Sequence, residues 1–142
     1  MVRYLIATLA LLGAAPAAAQ TARPAPPPLG KQQVETYRIA PGKQAAFLRF
    51  VARCDEANRL AGLPPRQLFV HADGASWDFL ILQPYDVPTD KQAALDAAWA
   101  KLGLPSGADF FLAIREYITE HEDTSVNGPT TAADYLATTK TR

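Results

Sequence analysis

The chain has few of the residues that usually carry chemistry. Cysteine occurs once, as Cys54, and histidine twice, as His71 and His121. A single cysteine excludes an internal disulfide, so apolar packing must hold the fold, with a second subunit to help. Two histidines without paired cysteines fall short of a metal site, which needs several ligands in fixed geometry. No metal or cofactor is expected. A Gly-rich phosphate loop is missing, as is a G-x-S-x-G nucleophile elbow. Acidic and basic residues balance at 14 each. No basic block stands out, which argues against nucleic acid and anionic membrane as partners.

What is present begins with "MVRYLIATLALLGAAPAAAQ". Arg3 is a short basic start, and the apolar run from Tyr4 to Ala15 is too short to span a bilayer core of about 30 Å. Ala17-Ala18-Ala19 offers a small-residue cleavage site. Residues 1–19 therefore read as a bacterial export signal. The expected location is the periplasm or outside the cell, with no stable membrane anchor after cleavage. Residues 20–30, "QTARPAPPPLG", read as a Pro/Ala-rich linker, because proline favours extended conformations and removes donors. One small domain is expected over residues 31–130 and a loosely attached tail over 131–142.

Within the domain, "QVETYRI" (33–39) carries the β-branched and aromatic residues of a strand. Helical spacing follows from Gln44 to Ala61, with Phe47, Phe50, Val51, Cys54, Ala57 and Ala61 on one stripe and Gly62 as its stop. Cys54 on that stripe reads as a small buried hydrophobe. "RQLFVHADGASWDFLILQPYD" reads as a β-hairpin around Asp73-Gly74. A second helix, with Thr89 as N-cap, carries Ala94, Leu95, Ala98, Trp99 and Leu102. A third, "ADFFLAIREYITEH", is expected to run on to His121, with a capping box at Ser106 and Asp109. The segment "EDTSVNGP" reads as a short polar strand at best. Element order thus predicts an α+β fold of ferredoxin-like βαββαβ type, with an extra helix before a weak last strand.

An even hairpin loop puts Gln67, Phe69 and His71 on one face with Asp78, Leu80 and Leu82. Leu68, Val70, Trp77, Phe79 and Ile81 then share the other, which should pack under the helices. An odd loop would move His71 to the side of Trp77 and Phe79. Asp-Gly turns favour two-residue loops, so the even register is expected. The mixed face is too apolar for open water, and a second copy of the same sheet would cover it.

The strand–turn–helix stretch "VETYRIAPGKQAAFL", with Pro41, Gly42 and Lys43 at the step, resembles the opening of the dimeric α/β-barrel superfamily. That group includes NIPSNAP-type, EthD-type and antibiotic-biosynthesis-monooxygenase-type domains. The likeness covers roughly residues 33–128 by element order. It implies a homodimer whose two sheets face each other around a pocket, and it carries over no catalytic residue.

His71 beside Asp78 is the first candidate for chemistry, because a carboxylate can orient an imidazole for proton transfer. A plain cross-strand pair is the structural alternative. Tyr37, Arg38, Phe69, Leu80 and Tyr85 are candidate ligand contacts. The acids Glu120, Glu122 and Asp123 would sit at a helix C-terminus, an unfavourable place for them unless solvent, Arg/Lys partners from elsewhere, or a bound cation or substrate ammonium compensates. His121 would cap that helix. Three functions fit: an exported protein binding a small apolar or amphipathic ligand, a cofactor-independent oxygenase- or isomerase-like enzyme using His71, or a structural envelope protein.

Overall fold

A computed structural model of the chain describes residues 30–139 apart from Ala75. The expected export signal, nearly all of the linker and residues 140–142 lie outside the described residues. The elements run β1 (Lys31–Ile39), α1 (Gln44–Leu60), β2 (Gln67–Val70), β3 (Phe79–Pro84), α2 (Thr89–Lys101), α3 (Ala108–Arg115), β4 (Ile118–Asn127) and α4 (Ala132–Thr138). The four strands form one sheet in the order β2-β3-β1-β4. Every neighbouring pair is antiparallel. This is the ferredoxin-like arrangement that the element order predicted.

Residue type explains most of the layering. The stripe of α1 is buried at Phe47, Phe50, Val51, Cys54 and Ala57. It packs on the face of β1 and β3 that carries Tyr37, Ile39, Phe79 and Ile81. Phe47 sits at the centre, its ring 4.9 Å from Tyr37 and 5.6 Å from Phe79. Burying such a side chain stabilises the fold by about 1.5–3 kcal/mol. Leu95 and Trp99 of α2, with Leu102 just after it, close over the same core. Gly62, at φ 69°, takes the left-handed conformation that ends α1 cheaply.

Several expectations need correction. The third helix stops at Arg115, and "ITEHEDTSVN" is the longest strand of the sheet rather than a helix end and a fragment. It pairs with β1 along its whole length. Ile118, Thr119, Thr124 and Val126 are β-branched, and the pairing with β1 overrides the apparent three- and four-residue spacing. Gly107, not Ser106, precedes α3, without a side-chain cap. Thr89 is the first residue of α2 rather than its cap. The stretch read as a tail contains α4, capped by the Thr131 hydroxyl, which accepts from the Asp134 amide at 3.1 Å. Leu68 and Val70 share the face of Phe79 and Ile81, yet they stay exposed, because the helices do not reach the β2 edge.

The opposite face of the sheet is bare. By register it carries Val34, Thr36 and Arg38 of β1, Leu80 and Leu82 of β3, Phe69 of β2, and Glu120, Glu122 and Val126 of β4. Among the described residues no helix is long and apolar enough to cross a membrane.

Candidate functional site

The hairpin keeps the even register. Phe69 lies opposite Leu80, and the His71 amide donates to the Asp78 carbonyl at 3.0 Å. The connection is longer than a two-residue turn, since β2 ends at Val70 and β3 starts at Phe79. The two side chains, however, do not pair. The Asp78 carboxylate accepts from the Ile39 amide at 2.7 Å, securing β1 where its register with β4 shifts. The His71 ring lies 4.9 Å from Trp77, and its Nε2 is buried without a hydrogen-bond partner. The carboxylate–imidazole arrangement expected at the hairpin is therefore not formed there.

The candidate ligand residues also separate. Phe69 and Leu80 lie on the bare face, as does Arg38, whose Nη1 meets Glu120 at 2.9 Å and whose Nε donates to the Ser76 carbonyl. Tyr85 is exposed beyond β3, with the Lys31 ammonium 3.3 Å above its ring. Tyr37 goes the other way. It stands opposite Phe79 and points under the helices, because strand residues alternate faces.

On that helix-covered side a polar network crosses four elements and one loop. Asp55 of α1 contacts Arg66 Nη1 at 3.0 Å. Arg66 Nε donates to Gln83 Oε1 at 2.8 Å. Gln83 Nε2 donates to Glu35 Oε1 at 2.8 Å. The Tyr37 hydroxyl donates to Glu35 Oε2 at 2.7 Å. The Tyr37 ring stacks on His121 with centroids 4.5 Å apart and planes 12° from parallel. His121 Nε2 lies 2.9 Å from Asp123 Oδ1. Glu35 and Asp123 are directly opposed across β1 and β4. Like charges in that position destabilise a sheet, and here each acid has its own polar neighbour.

All of these groups but Asp55 form one wall of a cavity of about 260 Å³ between sheet and helices. Phe50 and Val51 of α1, with Phe110, Phe111 and Ile114 of α3, form the facing apolar wall. Burial moves two ionisations in this region. The Tyr37 hydroxyl is held well above its ordinary value, first by desolvation and then by the Glu35 charge and hydrogen bond. Burial pushes the Cys54 thiol up to about 11, opposed by Arg66 and reinforced by Asp55. Cys54 is thus a protonated, buried thiol and a poor nucleophile. Among the described residues no group of three or more His, Cys, Asp or Glu side chains is placed to hold a metal ion.

No protein-family model and no curated protein matches the chain. Among solved structures it is similar to a NIPSNAP domain protein from Burkholderia xenovorans, with 18% identity and a TM-score of 0.40, over 72% of this chain and 96% of that one. A NIPSNAP family protein of unknown function from Agrobacterium tumefaciens shows 20% identity and a TM-score of 0.43, over 70% of this chain and 87% of that one. A dimeric protein of ferredoxin-like fold from Bacteroides fragilis shows 9% identity and a TM-score of 0.36, over 69% of this chain and 95% of that one. The resemblance to NIPSNAP-type proteins drawn from the sequence thus meets the same group among solved structures. These likenesses are too distant to speak of function, and the ferredoxin-like assignment rests on strand order and pairing.

His121, Asp123, Glu35, Arg66 and Gln83 were not legible as a site from the sequence. Reading residues 118–127 in steps of two puts His121 and Asp123 on one face, and the same step puts Glu35 and Tyr37 together. That alternation was the available signal.

Proposed function

We propose that this is an exported protein that binds a small apolar or amphipathic ligand and acts as a homodimer in the periplasm or outside the cell. The observation that carries the reading is the two-walled cavity. Binding sites are typically concave and mostly apolar, with a few convergent polar groups that fix orientation. Phe50, Phe110 and Ile114 supply the first property, and Glu35, Arg66 and His121 the second. Its volume lies just under the usual range of about 300–1,000 Å³, which favours a compact ligand such as a single substituted ring. The homodimer is supported by the bare sheet face, where Phe69 is 47% exposed beside Leu80 and Leu82. Export is supported by residues 1–19 alone.

Native mass spectrometry of protein prepared from the periplasm tests both parts. The expected species is two processed subunits with a retained small molecule. An Ile114→Phe variant, which narrows the cavity, should lose the retained mass while staying folded. Retention unaffected by that change would move the ligand elsewhere, and a monomer at high concentration would remove the dimer.

A further inference from the structure

We infer that His121 is a general base for small carbonyl compounds carrying an acidic C–H, held in the cavity between sheet and helices; this rests on the ligand cavity proposed above. His121 and Asp123 both line that cavity. The two stand two residues apart on β4 and share a face. The Asp123 carboxylate, 2.9 Å from Nε2, favours the tautomer with its proton there. That leaves the lone pair on Nδ1, which has no partner among the described residues. Stacking on the buried Tyr37 ring fixes the plane of the imidazole. Tyr37 is itself anchored, since its hydroxyl donates to Glu35.

The same cavity offers a place for the charge that proton removal creates. Arg66 spends Nε on Gln83 and Nη1 on Asp55. Its guanidinium also interacts with the Cys54 thiol, and with five N–H donors in all it keeps N–H groups for a ligand. In the proposed step the C–H bond next to a carbonyl breaks and its proton moves to Nδ1. The C–H electron pair forms the carbon–carbon π bond of an enolate, and the carbonyl π pair moves onto oxygen, where the Arg66 charge stabilises it. The imidazolium then returns the proton to a different carbon of a conjugated substrate. The sum is a proton-shift isomerisation that needs no oxidant, reductant or co-substrate. The apolar wall of Phe50, Phe110 and Ile114 suits a cyclic or aromatic body.

Nitrobenzisoxazole is a suitable probe, because removal of its ring proton opens the N–O bond and releases a coloured cyanonitrophenolate. Binding of the unreactive analogue nitrobenzotriazole is followed by calorimetry on the same full chain. The expected result is saturable binding and a rate above buffer. His121→Ala should lose the rate by at least about tenfold while still binding the analogue, and added imidazole should restore part of it. Asp123→Asn should lower kcat with little change in KM, the mark of a positioning residue. Binding with a rate that His121→Ala leaves unchanged overturns the base and spares the ligand cavity. Loss of the rate in His71→Ala instead relocates the base to the hairpin and overturns the inference. Absence of binding in the unaltered protein overturns both readings.

Discussion

Cys54 and Tyr37 are the two groups whose ionisation the fold opposes, and each makes stability depend on pH. The Cys54 thiol is held up to about 11 by burial in the folded chain. In the unfolded chain a cysteine titrates near about 8.5. Below that value both states keep the proton and the contribution is complete. As pH climbs from there towards the folded value, only the unfolded chain gives up its proton, so stability falls. Tyr37, raised in the same sense, extends the fall above its ordinary value of about 10. The denaturant midpoint should therefore drop steadily above about pH 8.5. Cys54→Ala should flatten the first part of that drop and leave the part due to Tyr37. A variant with the full original slope would show that the thiol is not the titrating group. The burial of Cys54 was legible from its place on the α1 stripe. The raised hydroxyl of Tyr37 was not, because it depends first on burial under the helices and also on Asp123 arriving from β4.

At the scale of elements, α1 and β4 show opposite outcomes. Every residue placed on the α1 stripe is buried in the structure, since a long amphipathic run specifies its own helix and its own inner face. The segment 118–127 carries no comparable signal of its own. Ile118 and His121 fall at helical spacing after Phe110 and Ile114, yet the chain leaves the helix at Glu116. Backbone pairing with β1 decides the matter, a contact between residues far apart in the chain, from Lys31 with Asn127 to Ile39 with Ile118. With it the acids change meaning. Glu120 meets Arg38 on one face and Asp123 meets His121 on the other, so no helix dipole acts on them. The C-terminal α4 is different again, because its cap is local while none of its residues is buried. Thr131→Ala should destabilise α4 by about 1 kcal/mol. Faster amide exchange over residues 132–138 should report it, with no movement of the global unfolding midpoint. A shift of that midpoint would mean that α4 packs on the domain.

For the whole molecule, the sheet has two sides with separate tasks. One packs under α1, α2 and α3 and holds the polar-walled cavity, and the other presents Phe69, Leu80 and Leu82 to its surroundings. The proposed homodimer buries that second side, so Phe69→Glu should give a monomer by sedimentation with helix content unchanged. A dimer that survives a charge at Phe69 would place the interface elsewhere. Loss of the dimer should leave the His121 cavity open, since its walls all come from one chain. The sequence by itself determined the order of elements and the buried stripe of α1. Each follows from local periods and breakers, which act over a few residues. Only the tertiary structure decided that β4 is a full strand, that Tyr37 rather than Arg38 faces the helices, and that an imidazole meets a carboxylate at His121–Asp123 rather than at His71–Asp78. Those outcomes depend on which distant strands become neighbours, and strand pairing is a long-range choice that no short window of residues contains.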